Sequence, residues 1–332
     1  MLEKIKILFK PFLKTFVPLF FGLFVFWLIF KRLDFKEILL TLRKDVNYWI
    51  IALSLPFGLF GNIMRAYRWE LLIRPLGHRP KKSNLIYSFL GNYAVNLAIP
   101  RLGEIWRCTM ISRYEKISLT ALIGTMITDR LFDFIPIGLI VVVAFFLNVP
   151  YFTKFFAQNS DMFDFLYELS TSVWIYLVIA IIGIMIWFIF VFFKEQTIIQ
   201  KTKLTLLNIW EGIRSISRMK DKFMFILYTF LIWFGYFLYF YTCFFAFPFT
   251  KDLGLNCGLI AFGISSIAVV IPVQAGIGAW HFAVIAVLTG FGLSSIDAGA
   301  FAFCVHTIQA IIFTALFGLF GIMALPVVNK KG

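Results

Sequence analysis

The sequence predicts an all-α integral membrane protein, and three observations carry that reading. Of the 332 residues, 61% are hydrophobic and 14% are charged, whereas soluble domains average roughly 25% charged. Apolar runs near the ~20 residues needed to cross a bilayer recur along the chain. Two further runs are short and broken, one at Pro100 and one across residues 272–278. The expected architecture is a polytopic helical bundle of about six full spans plus two re-entrant segments arranged as an inverted repeat. Eight simple spans are the alternative.

Net charge is +14. In a soluble protein that excess would raise nucleic-acid binding, but no soluble segment here is large enough to present a basic patch, and nucleic acid is not expected as a partner. Lys and Arg instead fall between the apolar runs, as in cytoplasmic loops that meet anionic lipid headgroups. The four cysteines, Cys108, Cys243, Cys257 and Cys304, form no C-x-x-C pair. No disulfide framework, metal site or cofactor is expected. No small-residue cleavage site follows the first apolar run, which is therefore read as a span.

In order, residues 16–30 form the first apolar run and 49–64 the second. Residues 65–83 are strongly basic, and Arg65, Arg68 and Arg74 with Tyr67 and Trp69 read as an interfacial anchor. Residues 84–99 are apolar but carry Ser88, Asn92 and Asn96, and 100–118 are amphipathic. Residues 119–147 are long and contain Asp129, Arg130 and Asp133. Residues 173–193 are a clean span. Residues 194–222 carry seven basic residues, with Ile209, Ile213 and Ile216 near helical spacing, and read as a cytoplasmic amphipathic loop on the membrane surface. Residues 223–247 span, 258–271 and 279–291 are short apolar pieces around the break P-V-Q-A-G-I-G, and 298–325 are the last span.

Charge selects among topologies. With 84–99 and 258–291 re-entrant, the cytoplasmic side holds 23 Lys and Arg and the outer side 7. Letting 84–99 cross gives 18 against 12. The positive-inside rule favours the first arrangement, with both termini cytoplasmic. The chain then reads as a single transmembrane domain whose halves, about 1–147 and 173–325, each contain a proline-broken segment at the matching place. Such segments point to a transporter's central site.

Candidate binding residues cluster at these breaks. Asn92 and Asn96 share a helix face; after Pro100 come Arg101, Gly103, Glu104 and Arg107. Gly103 allows a turn, Glu104 and Arg107 can pair at i,i+3, and guanidinium forks suit phosphate oxygens. Asp129, Arg130 and Asp133 lie within an apolar run, where ionisable side chains are functional by default; length leaves open whether they sit at the midplane or the rim. At the second break, Gln274, Gly276 and Gly278 permit close backbone approach. A helix starting near Ala279 would aim its positive end at an anion, and His281 could titrate near neutrality or simply pack. His306 and Gln309 read as interhelical hydrogen-bonding residues.

At Asn96-x3-Pro100-Arg101-x-Gly103-Glu104-x2-Arg107, at Asp129-Arg130-x2-Asp133 and at the late glycine-rich break, the chain resembles the transmembrane region of lysylphosphatidylglycerol synthases, a flippase-like family of bacteria and archaea. The resemblance covers about residues 15–325. It implies a lipid-handling protein of a prokaryotic inner membrane, with Asn96, Pro100, Arg101, Gly103, Glu104, Arg107, Asp129, Arg130, Asp133, Gly276 and Gly278 at family positions. Many members carry an acidic residue shortly after the glycines, where this chain has His281. Bifunctional members append a cytosolic aminoacyl-transferase domain; the 332 residues here include none, so synthase activity is not expected. The expected function is movement of an anionic or modified phospholipid, or a polyprenyl-phosphate lipid, between leaflets. Two alternatives are a membrane subunit that docks a soluble lipid-modifying enzyme through 194–222, and a lipid-linked glycosyl or acyl transferase with Glu104 or Asp129 as base. Soluble-enzyme signatures (P-loop, G-x-S-x-G, H-E-x-x-H, dinucleotide fingerprint) are absent from the sequence.

Overall fold

The computed structural model describes residues 19–31, 33–158, 220–270 and 273–330, with isolated positions between 168 and 185. The described residues are helical, with no strand among them. Most of the expected span 173–193, the amphipathic stretch at 194–219 and Pro272 lie outside the described residues.

Helix α1 covers Leu19–Phe30. Helix α2, Phe35–Lys44, begins where the Asp34 carboxylate accepts the Lys36 and Glu37 backbone N–H groups at 2.9 and 3.2 Å, satisfying donors that the first turn leaves free. Helix α3, Tyr48–Ile73, is capped in the same way by Asn47. It does not stop at residue 64. Nothing between Met64 and Ile73 breaks a helix, and the stop comes at Pro75 and the left-handed Gly77. Arg65 and Arg68, expected in an interfacial loop, are therefore on a helix and buried.

Helix α4, Lys82–Ala98, ends at Ile99, and α5, Leu102–Glu115, returns alongside it. Three contacts show the antiparallel register. Gly103 meets Asn92 and Asn96, Trp106 packs over Gly91, and the Glu115 carboxylate accepts from Lys81 N and Asn84 Nδ2 at 2.9 and 2.6 Å. The expected amphipathic loop at 100–118 is thus the second arm of a helical hairpin. Helix α6, Leu119–Leu147, is one continuous element carrying Asp129 about 15 Å from its start.

After α7, Val149–Gln158, the description resumes at α8, Lys222–Tyr241. A second broken pair follows, α9 at Gly254–Ala268 and α10 at Ala279–Gly290, separated by a short 3-10 turn at Gln274–Gly276. The last helix, α11, runs Ser295–Val328 and is widened by a π-helical stretch at Thr307–Phe313. Among the described residues, four helices are long and apolar enough to cross a membrane: Tyr48–Leu76, Leu119–Leu147, Lys222–Ala246 and Ser295–Val328.

By contact the chain divides into residues 1–144 with 219–332, and residues 145–218. In the smaller unit the ring centroids of Phe145 and Phe152 lie 5.0 Å apart. In the larger unit, small residues set the closest helix approaches. A Cβ on Gly58 or Gly61 of α3 would fall 2.8 or 2.7 Å from the rings of Tyr239 or Tyr236 on α8. Gly321 of α11 lies against the Tyr87 carbonyl and Leu90 of α4. Such contacts substitute for the hydrophobic driving force that lipid removes.

Candidate functional site

The site begins with the arginines of α3. Arg65 and Arg68, one turn apart, point at two carboxylates one turn apart on α6. Arg68 donates to Asp129 Oδ1 through Nε and Nη2 at 2.9 and 2.6 Å, and to Asp133 Oδ1 at 2.7 Å. Arg65 pairs with Asp133 Oδ2. Arg107 of α5 approaches Asp129 Oδ2 at 3.7 Å and stacks on the rings of Trp69 and Phe89, 4.5 and 4.2 Å from their centroids. Arg130 bonds Glu104 at 2.5 Å and lies 3.7 Å from Asp133. Four guanidinium groups and three carboxylates thus form one connected network across α3, α5 and α6.

Burial within the network is graded. The side chains of Arg68, Arg107 and Asp129 are inaccessible, while those of Arg130 and Glu104 are 30% and 20% exposed. The buried members hold the helices together, because a desolvated charge is tolerated only beside its counter-charge. The exposed pair faces a cavity of about 620 Å³. Arg65, Glu104, Arg130 and Asp133 form its charged end, and Asn62, Tyr93, Asn96 and Tyr236 its polar shoulder. Tyr236 donates to Asn62 Oδ1 at 2.7 Å, and its hydroxyl lies 3.4 Å from that of Tyr93. The rest of the lining includes the aromatic side chains of Trp233, Tyr239, Phe240, Phe262, Trp280 and Phe313. Gln309 closes this wall. Its Nε2 donates to Ser54 Oγ at 2.9 Å and to the Tyr239 carbonyl at 2.7 Å. The Tyr239 hydroxyl donates back to the Gln309 carbonyl at 3.1 Å, within the π-helical stretch. His306 and Gln309 are therefore interhelical bonding residues that also line the cavity.

Both breaks reach the same cavity, through Asn96 and Leu97 on one side and Val269, Val270 and Ala275 on the other. They also touch. Gln274 Nε2 donates to the Leu97 carbonyl and, at 3.3 Å, to the Ala98 carbonyl, which the end of α4 leaves without helical partners. His306 Nε2 lies 2.8 Å from the Ala275 carbonyl and holds the second break from its other flank.

Of the residues singled out from the sequence, Asn96, Glu104, Arg130 and Asp133 line the cavity, and Arg107 and Asp129 stand behind them in the network. Asn96 has a local task as well: its Oδ1 accepts the Gly103 N–H at 2.8 Å, capping α5. Asn92 is buried inside the hairpin. The turning residue is Arg101, left-handed at φ 64° and exposed beside Pro100 at the hairpin tip. Gly103 serves close packing instead, since a Cβ there would overlap the Asn92 carbonyl. Gly276 and Gly278, at φ 73° and 83°, shape the second break. The start of α10 is covered by α1, because a Cβ on Gly278 would meet the Gly22 carbonyl at 2.7 Å. His281 is buried against Phe26, Phe30 and His306. Arg65, Arg68, Asn62, Tyr93 and Tyr236 are site residues that the sequence reading did not place there. The available signal was the i,i+3 spacing of Arg65 and Arg68 in a segment free of helix breakers up to Pro75.

Neither curated proteins nor solved structures give a match to this chain. A family model does: that of the lysylphosphatidylglycerol synthase transmembrane region matches residues 15–318. Its extent and the four long apolar helices make this an integral membrane protein, and the chain belongs to the lysylphosphatidylglycerol synthase transmembrane-region family.

Proposed function

We propose that this protein is a flippase-like translocase that carries a phosphate-bearing lipid headgroup between leaflets. The observation that carries the reading is the cavity of about 620 Å³, with a partly exposed Arg130–Glu104 pair at one end and both helix breaks in its wall. That volume lies within the roughly 300–1,000 Å³ of sites for small organic ligands. Guanidinium is the side chain best matched to phosphate oxygens. In this reading Arg130 and Arg65 receive the phosphate, while Arg68, Arg107, Asp129 and Asp133 hold them in place. The headgroup exchanges water for fixed dipoles and charges as it leaves the membrane surface.

The inverted-repeat arrangement belongs to the same proposal. The α4–α5 hairpin and the α9–α10 pair act as two re-entrant elements, from halves of about 1–147 and 173–325, with both termini cytoplasmic in a prokaryotic inner membrane. Where Gln274 meets the end of α4, the two elements close one side of the cavity against each other. Parting them would open that side, which is the alternation a central site between repeats requires. The sequence has no nucleotide-binding signature, so movement within this scheme runs downhill or is coupled to an ion.

The test is reconstitution into vesicles containing an acyl-labelled fluorescent phospholipid, with a membrane-impermeant reductant added outside. A translocase bleaches the inner-leaflet label at a rate that scales with protein content. Folded protein that leaves the inner label protected across lipids of several headgroups would overturn the proposal.

A further inference from the structure

The second break carries a feature that the translocase reading does not use, a pair of imidazoles buried at its edge. We propose that His281 is a proton-binding switch: neutral, it fastens the turn Ala275–Gly278; protonated, it releases that turn.

The turn needs fastening. Ala275, Gly276 and Gly278 are left-handed, at φ 51°, 73° and 83°, and a non-glycine residue in that region persists only where its surroundings over-determine it. Two imidazoles supply the hold. His306 Nε2 meets the Ala275 carbonyl at 2.8 Å. His281, in the first turn of α10, accepts the Gly278 N–H on Nδ1 at 3.4 Å, the place at which a side-chain acceptor closes a capping box. The polarity of these bonds fixes the protons. A carbonyl only accepts, so His306 carries its hydrogen on Nε2. A backbone N–H only donates, so His281 Nδ1 is bare and its hydrogen sits on Nε2. A proton added to His281 goes to Nδ1, where it sets a donor against a donor.

The surroundings do not offset the added charge. His281 and His306 are both buried, with ring centroids 4.4 Å apart. From α1, His281 meets Phe26 and Phe30, and Lys31, just beyond that helix, lies over Trp27 instead. From α10 itself comes Trp280, and from α11 His306. Helix α9, which packs on α10, has Cys257 as its one titratable side chain. An imidazolium at His281 also adds positive charge at the N-terminal end of α10, where the helix dipole is already positive. The turn gives way because its acceptor is lost and no carboxylate stands by to hold the charge. His306 lines the cavity, which places His281 one ring away from it. Within the translocase scheme a proton taken up here loosens one of the two elements that close the cavity, but the switch does not depend on what moves.

Two measurements on the full chain in detergent test this: nitrogen-15 NMR of the imidazoles and hydrogen exchange of the turn amides. The chain has three histidines, and His78, which is exposed, serves as the reference. His281 is expected as the Nε2–H tautomer at about pH 8 and as imidazolium at about pH 4.5, a range that brackets ordinary imidazole titration. Over the same range, exchange at Gly278 relative to His281→Gln at equal pH should rise about fivefold, the factor that one hydrogen bond of ordinary net strength carries. H281Q keeps an acceptor at the capping position but takes up no proton, so its turn should stay protected throughout. His281→Ala should exchange rapidly at every pH. The switch is overturned if His281 stays neutral to the acid end of the range, or if it protonates with no change in exchange relative to H281Q. It is also overturned if H281A is as protected as wild type at the alkaline end, or if the response survives in H281Q and vanishes in His306→Gln. Neither measurement involves lipid movement, so each of these outcomes leaves the translocase reading standing.

Discussion

The two breaks meet at Gln274 yet are held by different forces. The first, at the tip of α4 and α5, is tied to charge: Glu104 and Arg107 follow it directly and join the network on α3 and α6. The second lies in a stretch, residues 253–296, without a single Asp, Glu, Lys or Arg. It is held by Gln274 on the carbonyls of α4, by His306 on Ala275, and by ring contacts around His281. Ion pairs desolvated among helices are stiff, since separating them exposes a bare charge to apolar surroundings. Neutral hydrogen bonds each contribute only about 1 kcal/mol net. The first break is therefore fixed by ion pairs and the second by weaker, neutral contacts.

The largest effect should come from breaking the charged side. Asp129→Ala leaves Arg68 and Arg107, both fully buried, without their main counter-charge. A loss of about 3–5 kcal/mol is expected, read as a collapse of the thermal unfolding midpoint in detergent. No substitution of a polar side chain at the second break should approach it; if Gln274→Ala or His306→Ala proved as damaging, the contrast would fail.

Backbone approach comes next. Gly103→Ala forces a methyl into the Asn92 carbonyl and should cost about 1–3 kcal/mol through strain between α4 and α5. Unfolding measurements that found the alanine variant as stable as wild type would show that the hairpin arms are farther apart than described. Asn96→Ala removes the cap on Gly103 N–H, with an expected loss of about 1 kcal/mol; Asn96→Asp should retain most of the cap and separates this effect from the residue's place in the cavity wall.

Smallest in stability, and most informative for function, is Gln274→Ala. It removes the bonds between the breaks at a cost of about 1 kcal/mol. Under the proposed scheme those bonds hold the breaks together beside the cavity, so a cysteine placed at Leu97 should react faster with a soluble maleimide in the Q274A background than with Gln274 present. The four native cysteines are buried and give a low background. Unchanged labelling would mean that the side chain is not what holds the breaks together.

Parts of this arrangement are legible in the sequence for physical reasons. Apolar runs declare themselves because lipid leaves the backbone no partner but itself. Asp129 and Asp133 stand out because carboxylates inside such a run need a reason. The breaks stand out because Pro100 and the glycines at 276 and 278 cannot continue a regular helix. Arg65 and Arg68 were hidden for an equally physical reason. Basic residues just past an apolar run are what an interface looks like, and the same count that favoured re-entrant segments included Arg65, Arg68 and Arg107 as loop charges. All three are buried in the network, so the register of the α4–α5 hairpin, rather than that count, is the firmer support for a turn at Pro100.

The sequence by itself determined the long apolar helices, the two interruptions and the presence of surplus positive charge. Each of these depends on neighbours within a few turns. Which arginine neutralises which carboxylate was decided only by the tertiary structure, as was the meeting of Gln274 with the carbonyls of Leu97 and Ala98, 177 and 176 positions away. Coulomb energy and hydrogen bonding depend on separation in space, and chain order carries no record of that separation until the helices pack.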